Sequence, residues 1–211
     1  RRKWVFRLAA ATIVPLLLFS TLEAGLRIGG YGYPTGFYIK SPTGDGYLTN
    51  LRFGWRFFPK PIARGPHPGF VRDPKPQQVY RIFVLGGSAA MGYPQEELNF
   101  GRILQTMLTQ SFPDTRFEVI NAAVTAVNSH AVLPAIKDCA RLEPDLFIIY
   151  LGNNEVVGPF GPGTAFARFS PNLTTIRASL WLESTKIGQL ADQLAGVLSH
   201  SGKTSRQWRG M

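Results

Sequence analysis

The stretch Tyr80–Gly92, YRIFVLGGSAAMG, limits the fold of this chain more than any other. Arg81-Ile82-Phe83-Val84-Leu85 is a short, mainly apolar run closed by Gly86-Gly87. An apolar run without alternation, bounded by glycine, predicts a strand buried on both faces, as in a parallel sheet. The two glycines end it in a turn that a residue with a Cβ would resist. Ser88 follows at the tip. In open α/β sheets the chemistry gathers beyond the carboxyl ends of the strands. Ser88 therefore stands where a nucleophile would, although a loop serine or a helix cap fits the same string.

From Tyr80 onward the pattern reads β-α-β-α-β. Phe100, Ile103, Leu104, Met107 and Leu108 mark one face of a helix near Glu97–Gln110. Pro113-Asp114 turns the chain into a second strand, Phe117–Asn121. Ala122–Asn128 is a loop of mostly small and polar residues, and Ser129 can cap a helix reaching about Leu142. Leu146–Leu151 is the third strand, broken by Gly152-Asn153-Asn154-Glu155. Strands alternating with helices at this spacing predict an α/β domain with a parallel, doubly wound sheet. After the loop Gly158–Gly163, the spacing of Leu173, Ile176 and Leu180, then Ile187, Leu190, Leu194 and Val197, predicts a helical region broken near Ser184-Thr185.

The N-terminal part is of another kind. Leu8–Leu22 carries no charge, and with its apolar flanks the span over residues 4–26 reaches the roughly 20 residues that cross a bilayer. Trp4 suits an interface, Arg7 can snorkel, and a membrane helix tolerates Pro15. Arg1, Arg2, Lys3 and Arg7 lie at its start, so the positive-inside rule places the N-terminus in the cytoplasm and the rest across the membrane. Without a small-x-small cleavage site after the span, an uncleaved anchor is expected rather than a signal peptide. Residues 28–79 are dense in glycine, proline and aromatics and hold no lasting period, which predicts an ordered but irregular arm. Tyr31, Tyr33, Trp55, Phe57 and Phe58 of this arm could lie on lipid headgroups or on subunits of a membrane complex, or could pack on this chain's own domain. The expected domains are thus an anchor (1–27), the arm (28–79), an α/β domain (80–200) and a polar tail (201–211). The chain starts at Arg1 without methionine and ends in a polar, basic run; a piece of a longer protein is the expectation.

Composition narrows the function classes. The chain has 211 residues, 23 Lys+Arg against 13 Asp+Glu, and a net charge of +10. That charge suits an anionic surface, but no block of about five or six like charges and no zinc spacing accompanies it, so nucleic acid ranks last among the expected partners. A single cysteine, Cys139, excludes an internal disulfide. No metal spacing is evident around it or the three histidines, and no metal or other cofactor is expected.

The three predicted strands end in three loops, Gly86-Gly87-Ser88, Ala122-Ala123 and Gly152-Asn153-Asn154-Glu155. In a parallel sheet these emerge on one edge, bringing together a hydroxyl, backbone N–H groups and a carboxamide. This is the equipment of acyl transfer, a nucleophile with donors for a developing oxyanion. Here the sequence resembles the SGNH (GDSL-type) hydrolase superfamily. Gly86–Gly92 resembles its first block, Val119–Ala123 its second and Gly152–Glu155 its third. The resemblance implies a three-layer, flavodoxin-like sheet, expected to be incomplete here. It also implies Ser88 as nucleophile, with Asn154 and the Ala123 N–H as oxyanion donors. The anchor, the GYGYPT segment and the GNNE-VVGP loop further resemble membrane-anchored bacterial proteins carrying such a domain, which implies an inner-membrane protein with its domain in the periplasm. The departures are specific. Gly87 stands in place of the family aspartate, Ala123 in place of a glycine and Glu155 in place of the aspartate after the asparagine. The family's Asp-x-x-His base is absent: His200 has Val197 three residues before it, His67 lies in the arm, and His130 follows block two. Two functions are therefore expected as alternatives. One is an anchored esterase or acyl hydrolase if a longer chain supplies the Asp-x-x-His base, these 211 residues alone being expected to be inactive or nearly so. The other is a non-catalytic accessory or scaffold subunit of a membrane complex that kept the fold.

Overall fold

Each of the three apolar runs becomes a strand of one parallel sheet. The computed structural model describes residues 2–164 and 172–200. In chain order its elements begin with a long helix α1 (Arg2–Ile28) and three short strands, β1 (Tyr38–Lys40), β2 (Gly46–Thr49) and β3 (Phe70–Arg72). There follow β4 (Val79–Gly86), the one-turn helix α2 (Ser88–Met91), α3 (Phe100–Ser111) and β5 (Arg116–Asn121). The order closes with α4 (Ser129–Cys139), β6 (Leu146–Tyr150), α5 (Leu173–Glu183) and α6 (Lys186–His200). The chain divides into two units, residues 34–176 and, separately, residues up to 33 with those from 177 onward. The segment expected as one domain over 80–200 is thus shared between the two units. The tail expected at 201–211 lies outside the described residues, as does the side chain of His200.

In the larger unit β4 is the central strand, parallel to β5 on one side and to β6 on the other. The chain passes from β4 out to β5 and then back across β4 to β6. The strand order therefore reverses between β4 and β6. One face of the sheet, centred on Val84, packs with Ala90, Met91 and Ala123, and against Phe100 of α3, Val119 and Ile148. On the other face Phe83 meets Phe147 and the ring of Tyr38, and Cys139 of α4 is buried beside Tyr38. Burial pushes the Cys139 thiol far above its usual range, so it is a small apolar filler here.

The helix over α3 buries a narrower face than the spacing predicts. Ile103 and Met107 are more than half exposed, whereas Gly101 is buried against the sheet. Gln105 explains the rotation. Its carboxamide accepts from Val119 N and donates to Phe117 O, so the helix turns a polar side chain onto the free edge of β5. Such cover protects an edge strand from pairing elsewhere.

The arm is not irregular throughout. β1, β2 and β3 form an antiparallel sheet, too short to leave a period of two in the sequence, with β3 far along the chain from its partner β2. Phe37 and Phe53 meet edge-to-face at 4.9 Å, as do Phe53 and Phe57 at 5.1 Å. Of the five arm aromatics, Tyr33, Phe57 and Phe58 are buried within this chain. These three rings pack on the chain itself. Trp55 is half-buried, with Arg52 and Lys60 both over its ring.

One residue ties the short sheet to the long one. Arg81 has no exposed surface although it opens the apolar run. Its guanidinium donates to Glu118 Oε2 at 2.6 Å, to Leu142 O at 2.6 Å and to Arg72 O at 3.0 Å. Glu118 is its register partner on β5, Arg72 ends β3, and Leu142 follows α4. The Arg81 backbone N–H donates to Asp145, whose carboxylate also takes Lys75 Nζ at 2.7 Å. The Lys75 ammonium and then the Arg81 N–H hold the Asp145 carboxyl below the usual carboxylate range. A carboxyl lowered in this way adds stability above its unfolded pKa of about 3.9 and loses it as pH falls through the folded value. Asp145→Asn is therefore expected to lose less stability than the parent on going from pH 7 to below pH 4. Urea midpoints at the two pH values check this, and equal losses would contradict it.

In the smaller unit α1 is long and apolar enough to cross a membrane, by length and composition. Its Glu23 carboxylate accepts from Lys186 N at 3.0 Å and Ile187 N at 2.9 Å. A side chain of one helix thus satisfies the first free N–H groups of another, where negative charge is favoured. Tyr31 donates to Gln193 at 2.6 Å, and Gln189 bonds both backbone groups of Tyr33.

Candidate functional site

The site lies where the strand order reverses. In sheets of this kind the crevice for ligands opens there, outside the carboxyl ends of the strands. β4 ends at Gly86, paired with Tyr150 of β6, and the loops that follow converge. Gly87, Ser88, Ala89, Val127 and Tyr150–Asn154 line a cavity of about 10 Å³. That is close to the room one water needs.

Ser88 is the first residue of α2 and is half-buried; Gly87, with extended backbone, holds the cap position. The cap reading of Ser88 is therefore replaced by a position one residue inside the helix. Among the described residues, no hydrogen bond engages the Ser88 hydroxyl. Asn154 reaches the same cavity from the β6 loop, and its amide donates to Val127 O at 3.2 Å. A carboxamide has two N–H donors, so one remains for a ligand. Gly87 matters sterically: a Cβ there would stand 3.0 Å from Asn154 Nδ2. The room a side chain at position 87 would need is thus taken by the Asn154 amide.

Ala123 is placed otherwise. It is buried, does not line the cavity, and its N–H donates to Asn121 Oδ1 at 3.0 Å. Asn121 is the residue that sequence reasoning passed over. Its Nδ2 donates to Ala90 O, so one side chain at the end of β5 fixes both the loop after β5 and the helix after Ser88. An asparagine closing an apolar strand was the available signal. Glu155 accepts from Ser129 N at 2.9 Å and Ser129 Oγ at 2.8 Å, clamping the start of α4. It is a loop carboxylate bonded to the backbone, and Asn128 rather than Ser129 occupies the cap position. Asn128 is fully buried and donates to Pro159 O, which secures the Gly158–Gly163 loop.

No histidine among the described residues lines the Ser88 cavity. His130 lies edge-on to Phe160, with ring centres 6.1 Å apart. His67 lines a separate cavity with Glu97, Asn99 and Arg102. Among the described residues no group of three or more His, Cys, Asp or Glu side chains could hold a metal ion.

No protein-family model matches this chain, and no curated protein matches it. Among solved structures it is similar to the crystal structure of AlinE4, described as an SGNH-hydrolase family esterase, at 22% identity with a TM-score of 0.34. The match covers 52% of this chain and 53% of that one, so the chain spans about half the length of the esterase.

Proposed function

We propose that this chain is a membrane-anchored protein whose α/β unit performs acyl-ester chemistry with Ser88 as nucleophile. The unit is of the SGNH-hydrolase type, with a three-layer, flavodoxin-like sheet. The anchor is α1 through residues 4–26, in a bacterial inner membrane, with the N-terminus cytoplasmic and the α/β unit in the periplasm. The length of α1 and the basic residues at its start support that orientation.

The observation that carries the chemistry is the convergence of Ser88 and Asn154 on one cavity at the β4/β6 switch point. Ser88 Oγ attacks the ester carbonyl carbon, and the carbonyl π electrons move to oxygen. The free Asn154 N–H donates to that oxyanion; one such donor is worth about 3 kcal/mol in the transition state. The bond to the leaving oxygen then breaks, the alcohol departs with a proton, and water releases the acyl group from Ser88. The Ala123 N–H, engaged by Asn121, takes no part. The base that accepts the Ser88 proton lies outside the described residues or on a partner. The test is capture by an alkyl fluorophosphonate, located by peptide mass in protein purified from its own membrane. Modification at Ser88 that is absent in Ser88→Ala is expected; an unmodified Ser88 would overturn the proposal.

A second reading, an accessory subunit without catalysis, is favoured by β6. Among the described residues its outer edge has no partner strand, and Leu146, Ile149 and Tyr150 are exposed. An open apolar edge calls for cover. A stoichiometric partner retained through mild detergent supports this reading, and a clean monomer overturns it.

A further inference from the structure

Within the smaller unit, α1 and the corner joining α5 to α6 enclose a hollow of about 460 Å³. Its lining is Phe19, Ser20 and Glu23 of α1, with Trp181, Leu182, Thr185 and Ile187 from the corner. The size is that of a small-molecule site, about 300–1,000 Å³. Two of the polar side chains at its wall, Glu23 and Thr185, are already engaged. Glu23 takes the Lys186 and Ile187 N–H groups and Arg27, and Thr185 Oγ1 donates to Leu182 O while accepting from Gly188 N. What remains, beside the Ser20 hydroxyl and the Trp181 indole N–H, is hydrocarbon surface, and it suits an alkyl chain.

The surroundings say which alkyl chain. Phe19 of α1 is 55% exposed at the hollow, and Leu16, one turn before it, is 67% exposed. On the far wall Trp181 is 68% exposed and Leu182 49%. Exposed apolar side chains of the membrane-length helix and of a second element thus line the same hollow. Tryptophan favours the boundary between acyl chains and headgroups, and Arg177, exposed one turn before Trp181, is placed for a lipid phosphate. We infer that the α5–α6 corner is a second membrane contact, with a bilayer phospholipid's acyl chain in the hollow and Trp181 at headgroup level. The inference rests on α1 being the anchor.

Single-tryptophan proteins test it. The full chain carrying Trp4→Phe, Trp55→Phe and Trp208→Phe reports on Trp181, and a companion retaining only Trp4 reports on α1. Both are reconstituted in phosphatidylcholine–phosphatidylglycerol vesicles, with or without bromine on the upper acyl chains. Several-fold quenching of Trp181 by the brominated lipid is expected, together with quenching of Trp4. Quenching of Trp4 with none at Trp181 overturns the inference and leaves the anchor standing. Quenching of neither overturns both. An unquenched Trp181 that cross-links to a second copy would assign the hollow to a protein contact instead.

Discussion

Arg81→Met is expected to cost the larger unit about 3–5 kcal/mol, the loss seen when one partner of a buried ion pair is removed. Methionine keeps most of the volume, so the effect reports lost bonds more than a cavity. Arg81 is fully buried, and its guanidinium donates to Glu118, Leu142 O and Arg72 O. Removing it leaves two backbone carbonyls without their donor and a carboxylate without its cation. It also frees the end of β3 and the turn after α4 from the central strand. Glu118→Gln is expected to cost less, because Glu118 is 32% exposed and its oxygens can be hydrated. Urea unfolding followed by Trp55 fluorescence reads both. A loss below about 1 kcal/mol for Arg81→Met, the size of a surface ion pair, would contradict this account of the core.

Gly86→Ala is expected to cost about 3 kcal/mol, at the upper end of the overpacking range, and to remove fluorophosphonate capture at Ser88. A Cβ on Gly86 would run into the Tyr150 carbonyl oxygen and stand 2.6 Å from Ala90 Cβ. A backbone oxygen in a ladder cannot turn aside as a side chain can. The β4 and β6 ends would have to separate, and these are the two ends that bring Ser88 to Asn154. Gly44→Ala is the control. Gly44 also has positive φ, at +78°, but its Cβ would meet nothing within 4 Å. It carries only the backbone cost, about 1–2 kcal/mol, and should leave capture at Ser88 unchanged. Capture at the parent level in Gly86→Ala would show that the β4/β6 seam does not position the site.

The parallel sheet was legible because its strands are apolar runs cut off by glycine or small residues, a pattern that depends on neighbouring residues alone. The meeting of Ser88 with Asn154 followed from that, since parallel strands release their loops on one edge. Four features were not legible. Arg81 reads as a strand-opening charge, and only the register that sets it opposite Glu118 shows why it is buried. The β1–β3 sheet is built from strands of three or four residues, too short to print an alternation, and β3 joins from far along the chain. The Ala123 N–H was free on paper; the carboxamide of Asn121, two residues back, takes it up. In the smaller unit, the Glu23 side chain at the start of α6 links residues 163 apart in sequence, which no local pattern records.

The central claim is that Ser88 reacts. The measurement bearing on it most directly is acyl-ester turnover by the protein taken from its own membrane with its tightly held partners retained, beside Ser88→Ala handled identically. The account predicts turnover that falls to the rate of buffer hydrolysis in the variant. Equal turnover in the two proteins, or none above buffer in either, would contradict it and leave the open edge of β6 as the functional surface.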